Sequence, residues 1–198
     1  MIDLQPACRR MTDVLAGVSS DQLTHATPCT DYTVGDLINH VDEVSRGFAA
    51  LARKERASTG NSDSADDAGN GAMPLGRDWC EPVTAHVLAL GESWTDPAAW
   101  RGSTDAAGVE LSNQVWGRIA LTEMVVHGWD LATATGLPFE LPETTLRACL
   151  DHVTEFVPRA PVPALWGPTV VVPYDAPLLD RIIAITGRPP QPPVHRPV

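Results

Sequence analysis

Apolar residues recur at steps of three and four along most of this 198-residue chain, the spacing expected of helices that bury one face. Leu4, Cys8, Met11, Leu15 and Val18 mark such a face over residues 3–18. A second helix opens at Thr33-Val34-Gly35-Asp36, a capping box with Asp in place of the usual Glu, and continues through Leu37, Ile38, Val41, Val44, Phe48 and Leu51. Residues 78–94 form a third, with Pro82 tolerated in the first turn, Val83, Val87, Leu90 and Trp94 along one side, and Asp96-Pro97 closing it. The fourth and longest covers residues 111–135, free of proline, capped by Ser112 and stopped by Gly136 and Pro138. Leu146, Cys149, Leu150, Val153 and Val157 predict another over 142–157, and a short last helix spans 176–186. Residues 169–173 read as a brief extended piece, and the proline-rich tail from 189 cannot continue a helix.

Residues 58–71, STGNSDSADDAGNG, have too little apolar surface to offset the entropy of ordering, and read as a mobile connection dispensable for folding. No fixed-period repeat is present, which disfavours a solenoid. The expected fold is all-α: a single-domain four-helix bundle with one long connection and a short C-terminal extension from about residue 158.

Composition narrows the partners. The net charge is -11, from 25 acids against 14 bases, and the bases are scattered, so nucleic acid is excluded for want of a basic stripe. The N-terminal run MIDLQPACRRMTD is charged where a signal peptide is apolar, and no apolar run is long enough to span a membrane. The expectation is a cytoplasmic protein with reduced cysteines. Cys8, Cys29, Cys80 and Cys149 lie far apart, without CxxC spacing, and read as small apolar residues. Cys29, in TPCTDYT before the second helix, is the one to watch, though packing is its favoured reading.

On a helical wheel Trp116, Ile119, Ala120, Glu123, His127, Asp130, Leu131 and Ala134 share one side of the fourth helix. Glu123 and His127 thus point the same way, roughly 6 Å apart along the axis, within reach of one ion. His40, at the margin of the second helix's apolar face, is the third ligand candidate. Two imidazoles and a carboxylate with open positions form a recognised catalytic zinc set, and other first-row ions accept it. The ordinary alternative is a Glu123–His127 pair, or Glu123 meeting Arg118 or Arg147. His25, His86, His152 and His195 have no supporting context and read as surface or packing residues.

The runs TPCTDYTVGDLINHVDEV and LTEMVVHGWDLATATG resemble two signature segments of the DinB-like superfamily branch that includes mycothiol-dependent maleylpyruvate isomerases and many uncharacterised metal-binding relatives. The closing APLLDRIIAITGRPP is similar to the end of that uncharacterised group. The resemblance implies a DinB-like four-helix bundle holding a divalent metal through His40, Glu123 and His127. It also implies a low-molecular-weight thiol of the mycothiol type as a cofactor. Asp130 is then either an orienting acceptor for His127 or a solvated acid on the helix face. The isomerase proper carries a further C-terminal domain that helps bind substrate, and this chain reads as too short to include a complete one, so the resemblance is not taken to imply maleylpyruvate specificity. The first functional expectation is a metal-dependent thiol transferase or isomerase acting on a small electrophile, with zinc ahead of nickel or another first-row ion. A metal-dependent hydrolase of an amide or ester is the second, with Asp36 and Asp130 as weak candidates for the base. A non-catalytic metal- or small-molecule-binding bundle is the third, and a homodimer is the assembly kept in view.

Overall fold

The computed structural model describes residues 1–55, 75–76, 78–106, 108–160 and 166–190. Helix α1 (Gln5–Gly17) leads through a short 3-10 turn, Ser20–Thr24, to α2 (Val34–Ala52), and α3 (Cys80–Ser93) follows. Next comes a two-stranded hairpin, β1 (Ser103–Ala106) and β2 (Val109–Ser112), and then α4 (Asn113–Thr135), α5 (Glu143–Phe156) and α6 (Leu178–Ile185). The connection expected at 58–71, the outer part of the proline-rich tail and His195 lie outside the described residues.

The start signals work as the sequence predicts. Thr33 and Asp36 cap each other reciprocally: the Thr33 backbone N–H donates to the Asp36 carboxylate at 3.0 Å, and the Asp36 N–H to the Thr33 hydroxyl at 3.3 Å. Ser112 caps α4 by accepting from the Val115 N–H, and Gly136 ends it with φ +72°, a left-handed geometry that suits glycine.

Helices α1 and α2 each pack on both α3 and α4, which makes a four-helix bundle with α1 and α2 on opposite corners. Leu4, Met11, Leu15, Leu37, Ile38, Leu90, Leu121, Met124 and Leu131 fill its centre. Helix α5 then lies against α4 from outside, and α6 against α5.

That outer layer corrects the expected face of α4. Every residue from Ile119 to Ala132 is buried, so this helix is enclosed all round and not amphipathic. Space is tight there: a Cβ on Gly128 would sit 2.6 Å from the Phe139 ring.

Two further expectations change. Leu111 and Ser112 belong to β2, not to the helix, because Ser103 to Ala106 pair antiparallel with Ser112 to Val109. Asn113 ties the hairpin down: its amide donates to the carbonyls of Ala99 and Arg101, and its oxygen accepts from the Thr104 hydroxyl. Residues 169–173 form no strand; Val170 N–H donates to the Ala184 carbonyl at 2.9 Å, and the Pro173 carbonyl accepts from the Ala176 N–H in a turn at 3.1 Å. Among the described residues no helix is long and apolar enough to cross a membrane.

Candidate metal centre

Segment 27–32, leading into α2, is a closed loop. An Ala26–Thr33 bridge joins its ends, and the Thr27 hydroxyl lies 2.9 Å from the carbonyls of both Cys29 and Tyr32. From its far side α2 runs on to His40, and because α2 packs on α4, that imidazole meets Glu123 and His127. One carboxylate oxygen, Glu123 Oε2, stands 3.3 Å from His40 Nε2 and 3.1 Å from His127 Nε2. The two imidazoles meet edge to face with centroids 4.9 Å apart, and the Tyr32 ring stacks on His40 at 5.3 Å. The donor atoms of His40, Glu123 and His127 all lie within 4.8 Å of one another.

The charge balance of this cluster is unusual. Glu123 is 7% exposed, and among the described residues no Lys or Arg forms an ion pair with it. Burial works to raise its pKa, yet hydrogen bonds from His127 and His40, and their charge, outweigh that and hold the carboxyl well below the usual range. Burial likewise works to lower the His127 pKa, but hydrogen bonds to Asp130 and Glu123 push it up to about 9. A buried carboxylate flanked only by imidazoles needs a cation, either a proton on a ring or a metal ion between the donors. Three donors of intermediate softness converging on one point fit a divalent first-row ion.

Asp130 stands behind His127 and is fully buried. Its Oδ2 lies 3.0 Å from His127 Nδ1, while Arg188 Nε and Nη2 donate to the same carboxylate at 2.9 to 3.0 Å. An ionised carboxylate only accepts, so Nδ1 donates to Asp130, and Nε2, which donates to Glu123 at 3.1 Å while the ring is charged, is the nitrogen whose proton a metal ion can replace. Cys29, His127 and Asp130 form a second grouping of possible metal donors. It is the weaker one, because the Asp130 carboxylate is already engaged by Arg188 and His127. Burial also pushes the Cys29 thiol up, against ligation as a thiolate.

The three residues singled out from the sequence are therefore brought together, and the alternative arginine partners of Glu123 are not. Arg147 pairs with Glu143 on the surface of α5, and Arg118 lies beside His152. Asp36 is occupied as a cap, and Asp130 is the orienting acceptor for His127, not a solvated acid. Cys8 and Cys149 are buried thiols whose pKa burial pushes up to about 12, as packing residues should be. Two histidines have partners that the sequence does not reveal: His86 Nδ1 meets Asp42 Oδ1 at 2.6 Å across α2 and α3, and His152 stacks on Phe156. Tyr32 and Arg188 were missed. Arg188 lies 58 positions from its partner, and the only local hint is its place just past the last helix, beside Gly187.

Two uncharacterized proteins of Mycobacterium tuberculosis, one from strain CDC 1551 / Oshkosh and one from strain ATCC 25618 / H37Rv, are each 27% identical to this chain over 184 residues. Those matches cover 88% of this chain and 90% of each relative. No solved structure matches the chain. The family model for the mycothiol maleylpyruvate isomerase N-terminal domain matches residues 4–132, a span that takes in α1 to α3, most of α4 and all three converging donors. By that match, over well more than half its length, the chain belongs to the mycothiol maleylpyruvate isomerase N-terminal domain family.

Proposed function

We propose that His40, Glu123 and His127 hold one divalent ion, zinc ahead of nickel or another first-row metal, and that the protein uses a mycothiol-type thiol to transfer to, or isomerise, a small electrophilic substrate in the cytoplasm. The observation that carries this reading is the convergence of the three donors in a family named for a mycothiol-dependent isomerase. When bound, the ion would stabilise the cofactor's sulfur as a thiolate. The chain's own residues prepare that place. Asp130, anchored by Arg188, fixes the His127 ring so that Nε2 is the nitrogen turned to Glu123 and the ion's place, and Tyr32 stacks on His40. Glu123 supplies the one formal negative charge among the three donors.

The hydrolytic reading has less support. Of the two acids considered as its base, Asp36 is held in the α2 cap, and Asp130 is buried between Arg188 and His127. Element analysis of protein purified without chelator should give one divalent ion per chain, and His127→Ala should lose it. Equal, stoichiometric metal in both would remove His127 from the site. Turnover of small electrophiles with and without mycothiol then tests the chemistry, and thiol-independent hydrolysis would overturn the transferase reading.

A further inference from the structure

Nine positions before His127, a helix places Arg118 about 180° round, on the α5 side of α4. A cavity of about 310 Å3 opens there at the N-terminal end of α4, lined by Val115, Arg118, His152, Glu155, Phe156 and Arg159 among others. This is the lower end of the range for small-molecule sites, roughly 300–1,000 Å3.

Three features of the lining point to a ligand. His152 is only 4% exposed and reaches the cavity, yet its ring nitrogens make no hydrogen bond to any described residue; the ring is fixed by stacking on Phe156 with centroids 4.9 Å apart. Its nitrogens are not sealed off but open to the cavity, where a donor and an acceptor stand free for a ligand. Burial first, and the neighbouring Arg118 second, lower its pKa to about 4, so at neutral pH the ring is uncharged, with one N–H to donate.

The second feature is the arginines. Arg10, Arg46, Arg53, Arg147 and Arg188 all meet carboxylates in this acidic chain. Arg118 and Arg159, like Arg9, Arg101 and Arg181, have no carboxylate partner among the described residues, but these two line the same cavity, even though Glu155 lines it too. The third is the N-terminal end of α4, a 23-residue helix whose dipole favours an anion there. Val115 and Phe156 add an apolar wall.

We propose that this cavity is a second ligand site, separate from the metal centre, for a small organic carboxylate. Its anion sits between the Arg118 and Arg159 guanidinium groups and accepts from His152, with its apolar body against Val115 and Phe156. The proposal does not rest on the metal reading.

Calorimetric titration of the intact protein with benzoate, acetate and inorganic phosphate tests it. Benzoate should bind saturably, and acetate and phosphate, which lack the apolar body, at least tenfold more weakly. Arg118→Gln or Arg159→Gln should weaken benzoate tenfold or more with metal content unchanged, while Arg147→Gln, a surface control, should leave it as in wild type. Arg159 is exposed, so its variant serves if Arg118→Gln fails to fold. Benzoate should also shift the ring resonances of His152. No saturable benzoate binding, binding unmoved in both arginine variants, or acetate and phosphate binding as tightly as benzoate would each overturn the proposal.

Discussion

Glu123 and Asp130 stand seven residues apart on one buried helix, and their surroundings treat them in opposite ways. Asp130 faces a guanidinium that donates to it through Nε and Nη2, and it accepts from His127 as well. Glu123 faces two imidazoles and no fixed positive charge among the described residues. A guanidinium keeps its proton at any pH a protein survives, so the charge opposite Asp130 is permanent. An imidazole can give its proton up, so the charge opposite Glu123 is conditional. The first arrangement is a fixture, and the second can exchange a proton for a metal ion. His127 belongs to both, with Nδ1 committed to the fixture and Nε2 left for exchange.

The sharpest way to break this contrast is to remove the permanent cation. Arg188→Leu leaves Asp130 buried without its counter-charge and should destabilise the fold by about 3–5 kcal/mol, with or without metal. Chemical denaturation with and without chelator checks this, and a loss under about 1 kcal/mol would mean that Asp130 is not held by the pair.

Glu123→Gln should behave differently. The imidazoles exchange a charged acceptor for a neutral one and can shed protons instead of standing as stranded cations, so the metal-free protein should change by only about 1 kcal/mol. Zinc affinity should fall by more than the roughly 10–100-fold that losing an outer hydrogen-bond partner brings. Competition with a metal chelator measures it. If Glu123→Gln loses as much stability as Arg188→Leu under chelation, both carboxylates are structural and the metal assignment fails.

How much of this contrast the sequence revealed follows from distance along the chain. Spacing along one helix puts Glu123 and His127 together, because the helical repeat fixes their relation whatever the rest of the fold does. The capping box at Thr33 to Asp36 is just as local, so the start of α2 and the turn bearing His40 were legible too. Joining His40 to the other two took the packing of α2 on α4, which the residues alone suggest and the resemblance to a known family supplies. Arg188 was invisible, since nothing in a local window links it to Asp130. The apolar stripe on α4 misled for the same reason: with α1 and α2 on one side and α5 on another, a buried helix has no polar face to read. The hairpin ahead of α4 was hidden as well, because Leu111 and Ser112 fit a helix start as readily as a strand end.

The smallest effect to look for is in the pH dependence of stability, and it separates the two states of the Glu123 end directly. In the metal-free protein the His127 pKa rises from its ordinary 6.5 to about 9 on folding. The folded state therefore holds the proton more tightly, and this contribution to stability is fully present below pH 6.5 and lost as pH rises through about 9. Glu123 runs the other way. Its pKa is depressed, so its contribution is present above the usual carboxylate range, is lost only at acid pH, and adds no slope in the alkaline window. A bound divalent ion takes the place of the proton at His127 Nε2, so the zinc-loaded protein should lack the alkaline decline that the chelated protein shows. The Asp130 pair, with its permanent guanidinium, should contribute equally in both. Denaturation midpoints from pH 6 to 9.5, with chelator and with zinc, give the two curves, and the same series on His127→Gln removes the slope that belongs to other groups. Parallel curves for chelated and zinc-loaded wild type would show that metal and proton do not compete at His127, and the distinction between the two carboxylates would then rest on burial alone.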